Sequence, residues 1–489
     1  MRNRDIYAKD PAEQRLVNEG VAYVNDDTSS RAQTVLRYEL ETFVCDGQYA
    51  KGMHDILDTY LRNLSSGASQ QPGVWISGFF GSGKSHMAKM LRNLWEDVTF
   101  DDGATARGIA HLPQEIQDLF KELSTQGKRH GGLFAASGTL GASSRDQSVR
   151  LALLSVIFRA AGLPQQYPVA RFVMWLRDEG ILEQVREDLA AKGDDWQEEL
   201  DNFYVAESLH EALVKAKPKT FSSVEVCAET LGNLFPPTSD ISSDDMLKAI
   251  RQALSEEGKL PLTLVVLDEV QQYIGTDGQR SIEVQEAVEA CCKGLGSRLM
   301  FIGTGQTAIT GTSNLARLQG RFTSRIELSD ADVDAVIRQV LLAKKPEAKA
   351  PVQQVMDNNV GEISRHLSES SIAHRQDDTQ HFAQDYPILP VRRRFWDAAL
   401  RVLDQTGTDS QLRGQLSLIH AAIKTNLDKP LGNIIAADYL YFNLSDKLLQ
   451  FRMLPRRLHD ATQRWRSGNE TEQLMARACA IVFLINKVA

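Results

Sequence analysis

The unbroken run Gly78-Phe79-Phe80-Gly81-Ser82-Gly83-Lys84-Ser85 sets glycines, a lysine and a hydroxyl at the spacing G-x-x-x-x-G-K-[ST]. Glycines carry no Cβ, so backbone N–H groups can close around a phosphate. A helix beginning at the lysine turns its positive end on the same charge. Lys84 supplies a point charge for β and γ oxygens and Ser85 a hydroxyl for Mg²⁺. Gly78, Gly81, Ser82, Gly83 and His86 complete the candidate cradle. A second constellation is Leu262-Thr263-Leu264-Val265-Val266-Leu267-Asp268-Glu269, an apolar run ending in two carboxylates. Asp268 suits Mg²⁺ held through water, with Ser85 as the other metal-side group. Glu269, beside the metal and not on it, suits polarisation of an attacking water. A glycine-rich turn with an incidental Lys-Ser, or a strand that merely ends in acids, is the plain alternative to each. Together they describe a site for ATP or GTP and Mg²⁺, fitted to hydrolysis. A small-molecule kinase is disfavoured, because no acceptor-substrate signature accompanies the acids.

These groups must be positioned by strands and helices. Val74-Trp75-Ile76-Ser77 is short and β-rich and feeds the first glycine, while Met87, Met90, Leu91 and Leu94 recur at helical spacing behind it. Further strands are predicted at 132–137, 262–267, 298–303 and 324–328. From 146 to 254 the pattern is almost wholly helical. Its last helix can be capped by Ser242 or Ser243, with Asp244 and Asp245 at its positive end. The opening stretch reads as helices over 31–40 and 53–61, broken at Phe43-Val44-Cys45-Asp46-Gly47. The fold expected is α/β: a three-layer P-loop NTPase with a mostly parallel sheet, a large helical insertion and a helical C-terminal lid. Boundaries are placed at 1–64 for an N-terminal helical segment, 65–343 for the nucleotide-binding domain with its insertion at about 145–258, 344–385 for a polar linker, and 386–489 for the lid region. The ligand belongs at the C-terminal ends of the strands beginning at Val74 and Leu262.

The strand 298–303 ends in Thr304, with Gln306 beyond it. A P-loop, an Asp-Glu strand and a later strand with a polar tip resemble the AAA+ ATPases, in which that tip senses the γ-phosphate. Thr304 is the first candidate and Gln306 the second; a strand that simply turns in polar residues is the alternative. In Gly320-Arg321-Phe322-Thr323-Ser324-Arg325-Ile326, Arg321 and then Arg325 stand where that family carries an arginine finger for a neighbouring subunit. A guanidinium suits charge spreading over phosphate oxygens. Either could instead be a surface ion-pair partner. Arg413, in Ser410-Gln411-Leu412-Arg413-Gly414-Gln415-Leu416, is the candidate lid arginine, or else a solvated helix-face residue.

The likeness extends further. The segments 43–47 and 78–85, with Leu267-Asp268-Glu269-Val270-Gln271-Gln272-Tyr273, Val336-Ile337-Arg338-Gln339-Val340-Leu341 and Tyr386-Pro387-Ile388-Leu389-Pro390, resemble BrxC/PglY, the large P-loop ATPase of BREX bacteriophage-defence systems, over nearly all 489 residues. That resemblance implies ATP rather than GTP, and self-association. It also implies phage-defence partners, among them a DNA methyltransferase, and contact with DNA, direct or through those partners. Members of that family are longer, so this chain is expected to be the N-terminal part of one. The helical stretch 146–254 departs from a minimal AAA+ core and puts a simple transfer of ring geometry in doubt.

Composition narrows the setting. A hydrophobic fraction of 42% with 24% charged residues is that of a globular chain, and no apolar run reaches the ~20 residues of a membrane helix. The N-terminus lacks a secretory core, so the cytoplasm is expected. Cys45, Cys227, Cys291, Cys292 and Cys479 form no zinc-type spacing and read as reduced thiols. A net charge of −9 leaves room for local basic patches. Arg392-Arg393-Arg394 is one, and Arg452, Arg456, Arg457, Arg464 and Arg466 with Phe451 and Trp465 another. Each is either a nucleic-acid contact or a solvated face. Two functions remain in view: an ATP-hydrolysing remodeller or motor, and a slow nucleotide-gated switch or scaffold.

Overall fold

The computed structural model describes residues 1–13, 29–78, 82–140, 148–365, 373–403 and 412–488, with the side chains of 330–332, 412 and 413 outside that description. Contacts divide the chain into two compact units. One comprises Ala22–Gly78 and Lys84–Leu328, the other Met1–Val21, Phe79–Gly83 and Ser329–Ala489.

The first unit is built on five strands, β1 (Gly73–Gly78), β2 (Leu133–Thr139), β3 (Leu262–Asp268), β4 (Leu299–Gly305) and β5 (Phe322–Leu328). They are all parallel, in the order β2-β3-β4-β1-β5. Every residue of β3 and β4 is buried. Both faces are covered, which explains why these strands read as continuous apolar runs and not as alternations. The pleat sends Val74, Ile76, Leu264, Val266, Met300 and Ile302 to one face. There they meet the helices Ser30–Glu41, Gly47–Ser65, Lys84–Glu96 and Gln114–Arg129. Trp75, Val265, Leu267, Leu299 and Phe301 point the other way, onto the helices Val149–Ala160, Ser243–Leu254, Val270–Ile274 and Gly278–Gly294. The result is the three-layer P-loop NTPase fold, with helices on both sides of a parallel sheet.

The stretch predicted as one helical insertion divides by its packing. Its first and last helices pack on the sheet face, whereas 167–234 largely gather a core of their own around Phe172, Phe203, Phe221 and Phe235. The predicted cap at Ser242 is present, its hydroxyl accepting from Asp245 N at 3.1 Å.

The second unit is helical, with one core running from Ile6 and Tyr7 through Val333 and Trp396 to Leu484. Two sequence expectations change here. The segment read as a polar linker is helical over Pro346–Asn358 and Val360–Arg365, because Ala348, Val352 and Met356 form a narrow buried stripe at i, i+4 and i+8 beneath a charged exterior. The described residues 1–13 pack within this unit, while the helices Ser30–Glu41 and Gly47–Ser65 belong to the sheet unit. Asn3 Nδ2 donates to Asn426 O (3.2 Å) and Asn433 O (3.0 Å), and Tyr386 Oη donates to Asn3 Oδ1 at 2.5 Å. The triple arginine is spent inside this unit. Arg393 bonds Asp385 (2.9 Å) and Asp334, Arg394 bonds Asp378 (2.6 and 2.8 Å), and Arg392 donates to Ile435 O at 2.5 Å.

Candidate nucleotide site

β1 delivers the chain to Gly78, and the next described helix starts at Lys84. Gly83 just before it has φ +89°, a left-handed conformation natural to glycine. Lys84 Nζ donates to Gly78 O at 3.0 Å. Burial brings the Lys84 ammonium down to about 8, opposed by the negative charges of Asp268 and Glu269. The lysine and the acid pair therefore feel one another.

β4 lies between β1 and β3, with Thr304 aligned to Ile76 and Gly303 aligned to Leu267. That register brings the tip of β4 against the end of β3. The Thr304 hydroxyl, 1% exposed, donates to Asp268 Oδ1 and accepts from Glu269 N at 3.0 Å. One hydroxyl thus satisfies both members of the acid pair. Glu269 sits at φ +57° and ψ +29°, a left-handed conformation unusual outside glycine, and its N–H bond to Thr304 helps to hold it there. Its Oε1 accepts from Gln272 Nε2 at 3.2 Å. Burial first, then the Asp268 charge, pushes the Glu269 carboxyl above its ordinary value, which favours proton acceptance by a general base.

Gln271 is a participant that sequence inspection does not single out. Its Oε1 accepts from Gln306 N (2.7 Å), Thr307 N (3.0 Å) and Thr307 Oγ1 (3.3 Å). Trp75 Nε1 donates to Thr307 O at 3.1 Å. Gly305 is needed beneath them, since a Cβ there would stand 2.3 Å from the Trp75 ring. The turn after β4 is thereby tied to the helix after β3, and Thr304 with it. Nothing in Asp268-Glu269-Val270-Gln271-Gln272 distinguishes this glutamine from its neighbour.

Gln306 enters through its backbone N–H, and its side chain is exposed. His86 lies edge-on to Phe43, ring centroids 5.8 Å apart. Arg321 precedes β5 and its peptide O accepts from Gly73 N at 2.7 Å, so it stands at the start of the strands and the P-loop at their end. With β1 spanning Gly73–Gly78 at about 3.3 Å per residue, it cannot serve the nucleotide of its own chain. Its guanidinium is paired with Glu289 at 2.6 Å. Arg325 is exposed on β5, an edge strand. Gly81 and the Arg413 side chain lie outside the described residues.

The donor set fits a hard cation. A serine hydroxyl and a carboxylate offer oxygen only, as Mg²⁺ requires, and Ser85 opens the helix at the P-loop while Asp268 ends β3. Among the described residues, no helix is long and apolar enough to cross a membrane.

No family model matches the chain. Among solved structures it is similar to the Orc1 protein of Aeropyrum pernix in complex with DNA, at 11% identity and a TM-score of 0.30, over 91% of this chain and 73% of that one. A likeness at that level decides nothing about this chain.

Proposed function

We propose that this chain is a Mg²⁺-dependent ATPase of AAA+ type. The observation that supports it best is the Thr304 hydroxyl bridging Asp268 and Glu269 at the tip of a strand lying between the P-loop strand and the acid strand. Lys84 would hold the β and γ phosphates and Ser85 with Asp268 the Mg²⁺, whose charge would offset that of the phosphates. Glu269, fixed by Thr304 and Gln272 and raised by burial, would take the proton of the attacking water. Thr304 would hold that base in line and sense the phosphate. Adenine rather than guanine is inferred from the family resemblance alone.

The same resemblance supports a place in a bacteriophage-defence complex, in which nucleotide state governs self-assembly and, with a DNA methyltransferase among the partners, action on DNA. In that reading Arg321 leaves Glu289 to reach a neighbour's nucleotide. Turnover per subunit should then rise with protein concentration and fall on Arg321→Ala. A flat dilution series, with the variant unchanged, removes the finger. The second reading is a nucleotide-gated switch, favoured by the αL geometry of Glu269, which can hold its carboxylate in a resting pose. Phage restriction by Glu269→Gln at the wild-type level would select the switch; loss of restriction would select the motor.

A further inference from the structure

Apart from the P-loop, the C-terminal unit holds a cleft of about 420 Å³ between the segment 425–438 and the helices Tyr439–Gln450, Arg456–Arg466 and Glu470–Val488. Its lining carries three cations, Lys429, Arg466 and Arg477, against one carboxylate, Asp438. Asp438 is engaged by Arg477 through Nε (3.1 Å) and Nη2 (3.5 Å). The other two cations leave a positive excess. Aromatic surface is interleaved with them. The Arg466 guanidinium lies 4.7 Å from the Phe442 ring centroid, and Tyr439 lies within 28° of parallel to Trp396, centroids 5.9 Å apart.

A buried acceptor adds a second, independent feature. Asn426 lines the cleft and is 1% exposed. Its Nδ2 donates to Asn433 O at 2.7 Å and its backbone O accepts from Asn3, whereas its Oδ1 has no hydrogen-bond partner. A buried carbonyl oxygen without a donor is costly, and the N–H groups on the edge of a nucleobase are the donors it lacks. Aromatic faces stack on any base, and arginines neutralise the adjoining phosphate.

We propose that this cleft binds one nucleotide unit, with the base edge on Asn426 and the phosphate on Arg466 and Lys429. The unit is either a free nucleotide or one residue of a single strand. This gives a site to the nucleic-acid contact proposed above and rests on that reading only for the strand; the P-loop has no part in it.

The test uses the full chain with fluorescein-labelled dT12 as probe and dTMP as competitor, since dTMP lacks the β and γ phosphates that a P-loop grips. Saturable dT12 binding should weaken about tenfold or more on Arg466→Glu and partly recover in Arg466→Lys. Lys349→Glu, an equal charge reversal at an exposed position of the same unit, should leave it unchanged. Displacement by dTMP assigns the site to free nucleotide, and failure to displace assigns it to a strand; both uphold the cleft. The proposal is overturned if neither probe binds saturably, or if the Arg466 variants bind as wild type does, or if Lys349→Glu weakens binding as much as Arg466→Glu. ATP turnover measured alongside separates the two readings. Its absence with dT12 binding intact removes the ATPase alone, and the converse removes the cleft alone.

Discussion

Replacing Thr304 with valine keeps the shape of the side chain and deletes one oxygen. In the wild type that oxygen serves two groups, a buried carboxylate at 4% exposure and a part-buried backbone N–H held in a left-handed turn. A hydrogen bond to a charged group contributes about 1.5–3 kcal/mol and a neutral one about 0.5–1.5, so Thr304→Val should cost about 2–4 kcal/mol. For a unit of this size each kcal/mol lowers Tm by roughly 2–4 °C, which places the variant's transition several degrees lower. Turnover should suffer separately, because Glu269 loses the contact that fixes its N–H. A positioning contact of this kind is worth about 10–100-fold in kcat, and the loss should fall on kcat more than on KM for ATP, since the bonds removed go to the acid pair. Differential scanning calorimetry and steady-state ATPase assays measure both. A variant that melts with wild type and turns over at the wild-type rate would show that the bridge does no positioning.

Other perturbations address the same geometry. With Lys84 near 8 in the folded protein and the ordinary value in the unfolded chain, its neutral form is favoured by folding, so this group's contribution to stability rises with pH from about 8 towards 10.5. Phosphate binding needs the ammonium, so ATP affinity should fall above pH 8 and binding near that pH should take up protons. Calorimetry in buffers of different ionisation heat detects the uptake, and Lys84→Arg should abolish it. Gln271→Ala removes three acceptor contacts to the turn after β4, which should lower kcat with KM nearly constant; a change confined to KM would assign Gln271 to binding. Asp385→Asn strips the 1%-exposed carboxylate that Arg338 (2.6 and 3.0 Å) and Arg393 (2.9 Å) share. Leaving those guanidiniums short of a partner should cost about 3–5 kcal/mol, read as a lower melting point of the helical unit with ATP binding intact.

The strands were legible because their signals are local. Leu262 to Leu267 is almost wholly apolar and buried on both faces, and Ser242 caps its helix as its position implies. Thr304 could be named from its place after a strand, but its contact with both acids depends on β4 lying between β1 and β3, which no local pattern encodes. Non-local pairing hid more. Gln271 acts on a turn 35 and 36 residues downstream. Asn3 bonds residues more than 400 positions away, so the opening segment could not be assigned to its unit. The arginines at 392–394 look like a basic patch until Asp334, Asp378 and Asp385 are seen against them. The helix over Pro346–Asn358 was obscured because its buried stripe is one residue wide within charged sequence.

Glu269 is the proposed base of a hydrolytic site whose binding groups lie elsewhere. Glu269→Gln is nearly isosteric, retains a side-chain oxygen to accept from Gln272, and cannot accept the proton of water. Equilibrium ATP binding and single-turnover cleavage should be measured on the same preparation of this variant. ATP should be retained at wild-type affinity with cleavage reduced about 10²–10⁴-fold, the typical contribution of a positioned base. Cleavage at the wild-type rate by Glu269→Gln would contradict it.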